Sequence, residues 1–266
     1  MTSAPVGSVG ERNGEVVGTV EAVWRYPVKS MQGRVVGSIE VTSAGVAGDR
    51  AFALVDVATG RIASAKRFAR ILEATGDDDA VVLADGTVVP LGAPDADERL
   101  SAWLGHTVTV ARPDPAVVRS YEMTFDPPDD EAELFDIPAP VGSFLDLAPL
   151  HLVNLGTLAH CAQRRPDLDW DVRRFRPNVV IAGPSVPFAE DGWSGRRLAV
   201  GSAELVVRGP TVRCAMPLRA QPGLARQPEM FAAMTELNAR TPNHLGVYVD
   251  VERPGVIRPG DPVVLR

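Results

Sequence analysis

Short apolar stretches, each closed by Gly, Asp or Pro, recur along the whole chain. In the first half they cover residues 16–25, 35–42, 51–57, 80–84, 87–91 and 107–111. In the second half they cover residues 178–182, 197–208, 245–251 and 262–265. Runs of this length between turn residues predict the strands of a barrel or sandwich. Three other segments follow a helical period. Leu100, Trp103 and Leu104 share one face of a short helix over 97–104, with Gly105 as its stop. Asn154 is placed to cap a helix over 155–165, where Leu155, Leu158, Ala159 and Ala162 fall at i, i+3, i+4 and i+7. A third helix is predicted over 228–239, with Met230, Phe231, Met234 and Leu237 turned to the core. Cys161 lies beside the second helix's apolar face and reads as a small buried hydrophobe.

The pattern changes at residue 112. Pro113, Pro115, Pro127, Pro128, Pro138 and Pro140 interrupt regular structure, and Asp126, Asp129, Asp130, Glu131, Glu133 and Asp136 make the stretch acidic. It reads as a solvated connection, with a docking surface for a basic partner as the sharper alternative. The expected organisation is a flexible tail over 1–15, a β-barrel-like unit over 16–111, a Pro-rich acidic connection over 112–145 and a second barrel over 146–266. The fold class is mainly β (α+β), with peripheral helices.

Composition sharpens this. Of 266 residues, 45% are apolar, which is enough for a real core, and 24 Gly and 23 Pro suit many turns. A net charge of −7 excludes a broad electropositive surface for nucleic acid, so any anion site must be a local cluster. The first residues lack the basic start and apolar core of a signal peptide, and no apolar run nears the roughly 20 residues of a membrane helix. Two cysteines make no disulfide framework. The expectation is a cytoplasmic chain with free thiols and no membrane partner.

Three blocks carry candidate chemistry. In Pro210-Thr211-Val212-Arg213-Cys214-Ala215-Met216-Pro217, the prolines argue for a constrained loop. A thiolate there would bind metal or attack sulfur, favoured by Arg213 if both side chains reach one pocket. In Arg176-Pro177-Asn178, the guanidinium can bind a phosphate or carbonyl and the amide both donates and accepts. In Tyr26-Pro27-Val28-Lys29-Ser30 and Gly48-Asp49-Arg50, Lys29, Ser30 and Arg50 could cradle an anion. A solvated Lys29 and an Asp49–Arg50 pair are the alternative, and both remain open. The helix after Asn154 could add backbone donors to a phosphate. There is no GxGxxG fingerprint, phosphate loop, GxSxG elbow or paired zinc spacing among the four histidines, and His151 reads as an ordinary core histidine.

In order and spacing these blocks, with Phe188-Ala189-Glu190-Asp191-Gly192-Trp193 and Gly246-Val247-Tyr248, resemble the MOSC domain family preceded by its N-terminal β-barrel domain. By architecture the chain is similar to the mitochondrial and bacterial amidoxime-reducing members of that family. The resemblance implies a molybdenum cofactor (Mo-molybdopterin) held between the two halves. It implies Cys214 as metal ligand and catalytic residue, and Lys29, Ser30 and Arg50 on the pterin phosphate. Asn154, Arg176, Asn178, Val212, Arg213 and Tyr248 would be further cofactor contacts. The implied activity is a molybdenum-dependent oxidoreductase that reduces small N-hydroxylated or N-oxide compounds. Two cysteines cannot supply the four thiolates of an iron–sulfur centre, so electrons would come from a separate protein. Sulfur transfer through a Cys214 persulfide, or cofactor binding and delivery without catalysis, are the alternatives.

Overall fold

Seven strands close into a ring in the computed structural model of this chain, which describes residues 14–266. Around the ring run Val179–Ala182, Leu150–Asn154, His244–Arg253, Ala203–Val212, Arg197–Val200, Pro262–Leu265 and Glu15–Arg25, and the last pairs back onto the first. All neighbours are antiparallel except Leu150–Asn154 with Val179–Ala182. Inward residues such as Val20, Leu152, Ile181, Leu198, Val207, Val247 and Val263 fill the barrel. The fold is thus mainly β, with three α-helices among the described residues.

The first strand departs from a simple alternation. Val17, Val20 and Val23 are its buried residues, three apart, because its register shifts between Val16 and Gly18 and again between Val20 and Ala22. Such bulges turn the strand enough to pair on both sides and close the ring. A Cβ on Gly18 would stand 2.6 Å from the Ala182 carbonyl oxygen, so the approach needs glycine. The expected unit over 16–111 is therefore not self-contained: its first strand completes the C-terminal barrel and removes the free edges that barrel would otherwise expose. Of the expected tail over 1–15, residues 1–13 lie outside the described residues, and Glu15 already begins the first strand.

A second core belongs to the N-terminal half. Val28, Met31, Phe52, Leu54, Ile71, Leu72, Val81, Val89 and Leu100 pack together under two small sheets and the helix Ala96–Leu104. Gly105 ends that helix in the left-handed region at φ 71°, its N–H bonded to Ser101 O. Two expected strands are divided. Residues 35–42 split into Arg34–Val36, on the barrel, and Ile39–Thr42, which pairs with Gly255–Ile257. Residues 197–208 turn at Gly201, φ 56°, into Arg197–Val200 and Ala203–Val212.

The acidic segment is less of a connection than its prolines imply. Ser120–Met123 and Phe135–Pro138 form a hairpin, and Tyr121 on it is buried. Four-residue strands framed by proline leave too short a period to read. The second helix, Leu155–Arg164, buries Leu158 and Cys161 against Trp170, Phe175, Met230 and Met234. No helix among the described residues is long and apolar enough to cross a membrane.

Candidate functional site

One open cavity, about 800 Å³ of empty space that runs out into solvent, lies where the two cores meet. Lys29, Ser30, Arg50, Ser64 and Lys66 reach it from the N-terminal half and Tyr121 from the hairpin. From the C-terminal part come Asp146, His151, Arg176, Asn178, Val212, Arg213, Cys214 and Tyr248. Every candidate residue named from the sequence lines it except Asn154. That side chain is buried behind the barrel, where Oδ1 accepts from Gly156 N at 3.0 Å and Nδ2 donates to Glu190 at 3.2 Å. Asn154 here caps the helix and bonds Glu190, Pro184 O and Gly183 N, away from the cavity lining.

The backbone is bent to bring these groups together. Ser30, Arg50 and Arg176 all hold positive φ, at 68°, 48° and 53°, a region costly for residues with a Cβ. Strain of this kind gathers at binding sites when surrounding contacts enforce it. For Arg50 the contact is its N–H on Tyr26 O at 2.7 Å. Its guanidinium pairs with Asp49, which also accepts from Tyr26 N at 2.7 Å. Arg176 donates to Met31 O at 2.6 Å. The Tyr26 ring carries both guanidinium groups, 4.7 Å from Arg50 and 4.4 Å from Arg176. Burial, then the nearby Arg50 charge, lowers Arg176 to about 10, so it stays charged at neutral pH.

Lys29 is already engaged. Its Nζ donates to Phe144 O at 2.6 Å and to Asp146 Oδ1 at 2.8 Å, leaving one of three N–H groups. Burial lowers its pKa and the Asp146 charge opposes the shift. Burial acts against the Asp146 carboxylate, but Lys29 and Lys66 outweigh it and hold the carboxyl below the usual range. The Asp146 side chain is 54% exposed, so water in the cavity screens that attraction.

Cys214 stands just past the strand Ala203–Val212, on a loop followed by the short turn Met216–Leu218. The strand runs through Pro210, which the sequence placed in the loop. The proline is tolerated because register shifts on both sides interrupt the ladder. Arg213 is clamped: Nη2 donates to Phe175 O at 3.0 Å, and Nη1 lies 3.3 Å from His151 Nε2. An arginine only donates, so His151 Nε2 is the acceptor and its ring is neutral there. Burial, then the Arg213 charge, pushes the His151 pKa well below its ordinary value. Asn178 Oδ1 accepts from His151 N at 3.3 Å and ties the two cavity segments together. Behind them the fully buried Arg174 donates to the carbonyls of Asp169, Pro217, Arg219 and Ala225, fixing the chain after Cys214.

Sequence reasoning passed over Ser64, Lys66, Tyr121 and Asp146 and took His151 for a plain core residue. None sits in a motif, and only the packing of the two halves makes them neighbours.

The donor set fits an anionic cofactor that brings its own metal ligands. Lys29, Arg50, Arg176 and Arg213 face a space whose carboxylates are Asp146 and, behind Arg50, Asp49. Ser64 Oγ, Tyr26 Oη and Arg213 Nε are buried without a hydrogen-bond partner. Cys214 is the one thiol on the wall, with the Met216 thioether as the other soft group. Among the described residues no group of three or more His, Cys, Asp or Glu could hold a metal ion. A metal at Cys214 would therefore draw its other ligands from the group that carries it.

Comparison with known proteins gives the same outline. The chain is similar to mitochondrial amidoxime-reducing component 1 of Homo sapiens, 27% identical over 291 residues, covering 94% of this chain and 83% of that protein. It is 25% identical to the same component of Mus musculus over 298 residues, covering 94% and 82%. The YUAD protein from Bacillus subtilis aligns over 94% of this chain and 95% of its own, with a TM-score of 0.44 and 11% identity. The MOSC N-terminal beta barrel domain matches residues 17–131 and the MOSC domain matches residues 141–264. The two matches together span most of the chain, which belongs to the MOSC family as an N-terminal beta barrel domain followed by a MOSC domain.

Proposed function

We propose that this chain is a molybdenum cofactor-dependent reductase of N-hydroxylated or N-oxide compounds, fed with electrons by a separate protein. The observation that carries the reading is the convergence of a half-buried thiol and an excess of buried cations in one cavity. The relatives' printed name, amidoxime-reducing component, supports the reaction class. When bound, the cofactor supplies two-electron metal chemistry, and the protein supplies binding, orientation and electrostatics.

In this reading Cys214 provides the protein's thiolate to the metal. The remaining N–H of Lys29, the Ser30 hydroxyl and Arg50 hold the pterin phosphate, a task suited to charge-assisted donors. Arg176, Asn178, Val212 and Arg213 line the cofactor. Tyr248 keeps its phenolic proton at neutral pH, because burial disfavours the phenolate, and offers an O–H donor inside the cavity. Neither cysteine can join an iron–sulfur centre in this chain: Cys161 is sealed in a core and Cys214 stands alone. Electrons then arrive from outside.

The test is metal analysis of the native protein, with fluorescence of the oxidised pterin and an amidoxime reduction assay driven by a chemical reductant. Molybdenum and pterin near one per chain, with turnover that Cys214→Ser abolishes, is the expected result. Sulfane sulfur on Cys214 with neither metal nor pterin would replace this reading with sulfur transfer. Bound cofactor that passes intact to an apo-enzyme, with no turnover, would replace it with cofactor delivery.

A further inference from the structure

Among the described residues, Lys66 differs from the other cavity cations in that no protein acceptor holds its head group. Arg50 is paired with Asp49, Lys29 with Asp146, and Arg176 and Arg213 each donate to a main-chain carbonyl. Lys66 Nζ has neither a hydrogen bond nor an ion pair among the described residues, and stands 4.7 Å from the Tyr121 ring centre. It is nonetheless only 9% exposed. Two residues earlier, Ser64 Oγ is buried with no partner. Both side chains line the cavity. The turn that carries them is held on both sides. Within it, Phe68 N bonds Ser64 O at 2.9 Å, and from the C-terminal half Arg219 Nη2 bonds Lys66 O at 2.8 Å. A buried hydroxyl without a partner is costly unless an acceptor completes it, and the Lys66 ammonium, two residues on, reaches the same cavity with no protein acceptor of its own.

We propose that Ser64 and Lys66 form an oxyanion subsite that receives the carboxylate of an acidic substrate. The proposal rests on the reading of the cavity as a reductase site. Lys66 stands apart from the two guanidinium groups assigned to the cofactor. Lys66 lies on Tyr121, whereas Arg50 and Arg176 gather on Tyr26. Lys29 shares the Tyr121 ring but is held by Phe144 O and Asp146, so Lys66 is the cation there with its N–H groups left for a second anion. An anion there would also relieve the repulsion between Lys66 and Lys29, whose Nζ sits 4.8 Å from the same ring.

The experiment compares two aryl amidoximes of equal size, one with a para carboxylate and one with a para carboxamide, on the loaded protein. Lys66→Met should raise KM for the carboxylate roughly tenfold or more, the loss expected for one charge-assisted contact. KM for the carboxamide, kcat, and molybdenum and pterin content should hold, and Lys66→Arg should keep the carboxylate preference. Ser64→Ala should raise the carboxylate KM several-fold. Calorimetric titration with benzoate reads the same subsite without turnover, and Lys66→Met should weaken it. Benzoate affinity indifferent to Lys66, or equal losses for both amidoximes, overturns the proposal. So does loss of pterin in Lys66→Met, which would give the subsite to the cofactor phosphate. A protein that holds no molybdenum yet binds benzoate through Lys66 would instead overturn the reductase reading alone.

Discussion

Asn243 grips the main chain of Arg213 from both directions: Arg213 N donates to Asn243 O at 2.9 Å, and Asn243 Nδ2 donates to Arg213 O at 2.8 Å. Asn243 itself sits at φ 59°, where asparagine is tolerated better than most residues. This exchange sets where the strand stops and where Cys214 begins. Asn243→Gly keeps the backbone conformation and loses one hydrogen bond, a cost of about 1 kcal/mol. Asn243→Ala adds the left-handed penalty and should cost about 2 kcal/mol. Both should lower molybdenum retention on dialysis, alanine more than glycine. Full retention in both variants, with melting temperatures at the wild-type value, would show that the loop is held by Arg174 alone.

The two thiols should behave oppositely. Cys161 is fully buried, and burial, then the Glu190 charge, pushes its thiol up to about 12. Cys214 is half-buried at the cavity wall. A disulfide reagent should modify one thiol per native cofactor-free chain and both after unfolding. Cys161→Ala should cost about 1 kcal/mol or somewhat more with activity retained, as small core truncations do. Cys214→Ser should leave the circular dichroism spectrum unchanged and remove activity. Rapid labelling of Cys161 in the native protein would contradict its placement.

Local features were legible in the sequence and long-range ones were not. Gly105 and Asn154 mark helix ends because a left-handed stop and a side-chain cap act within a few residues. The partners Asn154 finds beyond its cap, Glu190 and Pro184, lie 36 and 30 residues on and are not written in the local sequence. The closure of the barrel by Glu15–Arg25 depends on pairing with Val179–Ala182 and Pro262–Leu265, far along the chain, and no turn signal records it. Lys29, Arg50, Arg176 and Cys214 could be nominated because they stand in recognisable blocks. Lys66 and Tyr121 stand in none, yet they meet the same cavity because the hairpin and the turn fold over it.

Arg50→Ala should weaken both the apo-protein and cofactor binding, in separable amounts. Removing the guanidinium leaves the fully buried Asp49 side chain without its ionic partner, a loss felt with or without ligand. If Arg50 also holds the pterin phosphate, the loaded protein loses more, because a ligand stabilises only through its bound state. The gap between loaded and apo melting temperatures should therefore shrink, and pterin content should fall. An unchanged gap would confine Arg50 to its pair with Asp49.

Glu190 should make the protein less stable as pH rises. The residue is fully buried, accepts from Thr157 Oγ1 at 2.8 Å and Asn154 Nδ2 at 3.2 Å, and is in no ion pair among the described residues. Burial, with a smaller push from Asp191, raises its pKa above the ordinary value. The native state then binds this proton more tightly than the unfolded chain. The resulting stability is fully present below the unfolded value of about 4.3 and is lost as pH rises through the raised native value. Chemical denaturation of wild type and Glu190→Gln across pH 4 to 8 should show the variant gaining on wild type as pH rises. Parallel curves would mean that the carboxyl titrates alike in both states.

Electron supply is the last test. With no nicotinamide fingerprint and a single cavity thiol, the loaded chain should not turn over with nicotinamide cofactor alone. It should do so with reduced viologen or an added electron-transfer protein. The acidic segment is a candidate docking surface for a basic donor, but its carboxylates are not equivalent. Asp130 pairs with Arg219 and with Arg226 Nε at 2.7 Å, and Asp136 with Arg61 at 2.7 Å. Asp129 and Glu131 lie beside Asp130, and among the described residues neither is in an ion pair. Neutralising Asp129 and Glu131 should slow protein-driven turnover at low salt and leave viologen rates alone, because opposite charge acts on encounter. Asp130→Asn is the less clean variant, since Arg219 also holds the turn that carries Lys66. Turnover with nicotinamide cofactor alone would end the separate-donor model. Donor rates indifferent to Asp129 and Glu131 would move the docking surface elsewhere.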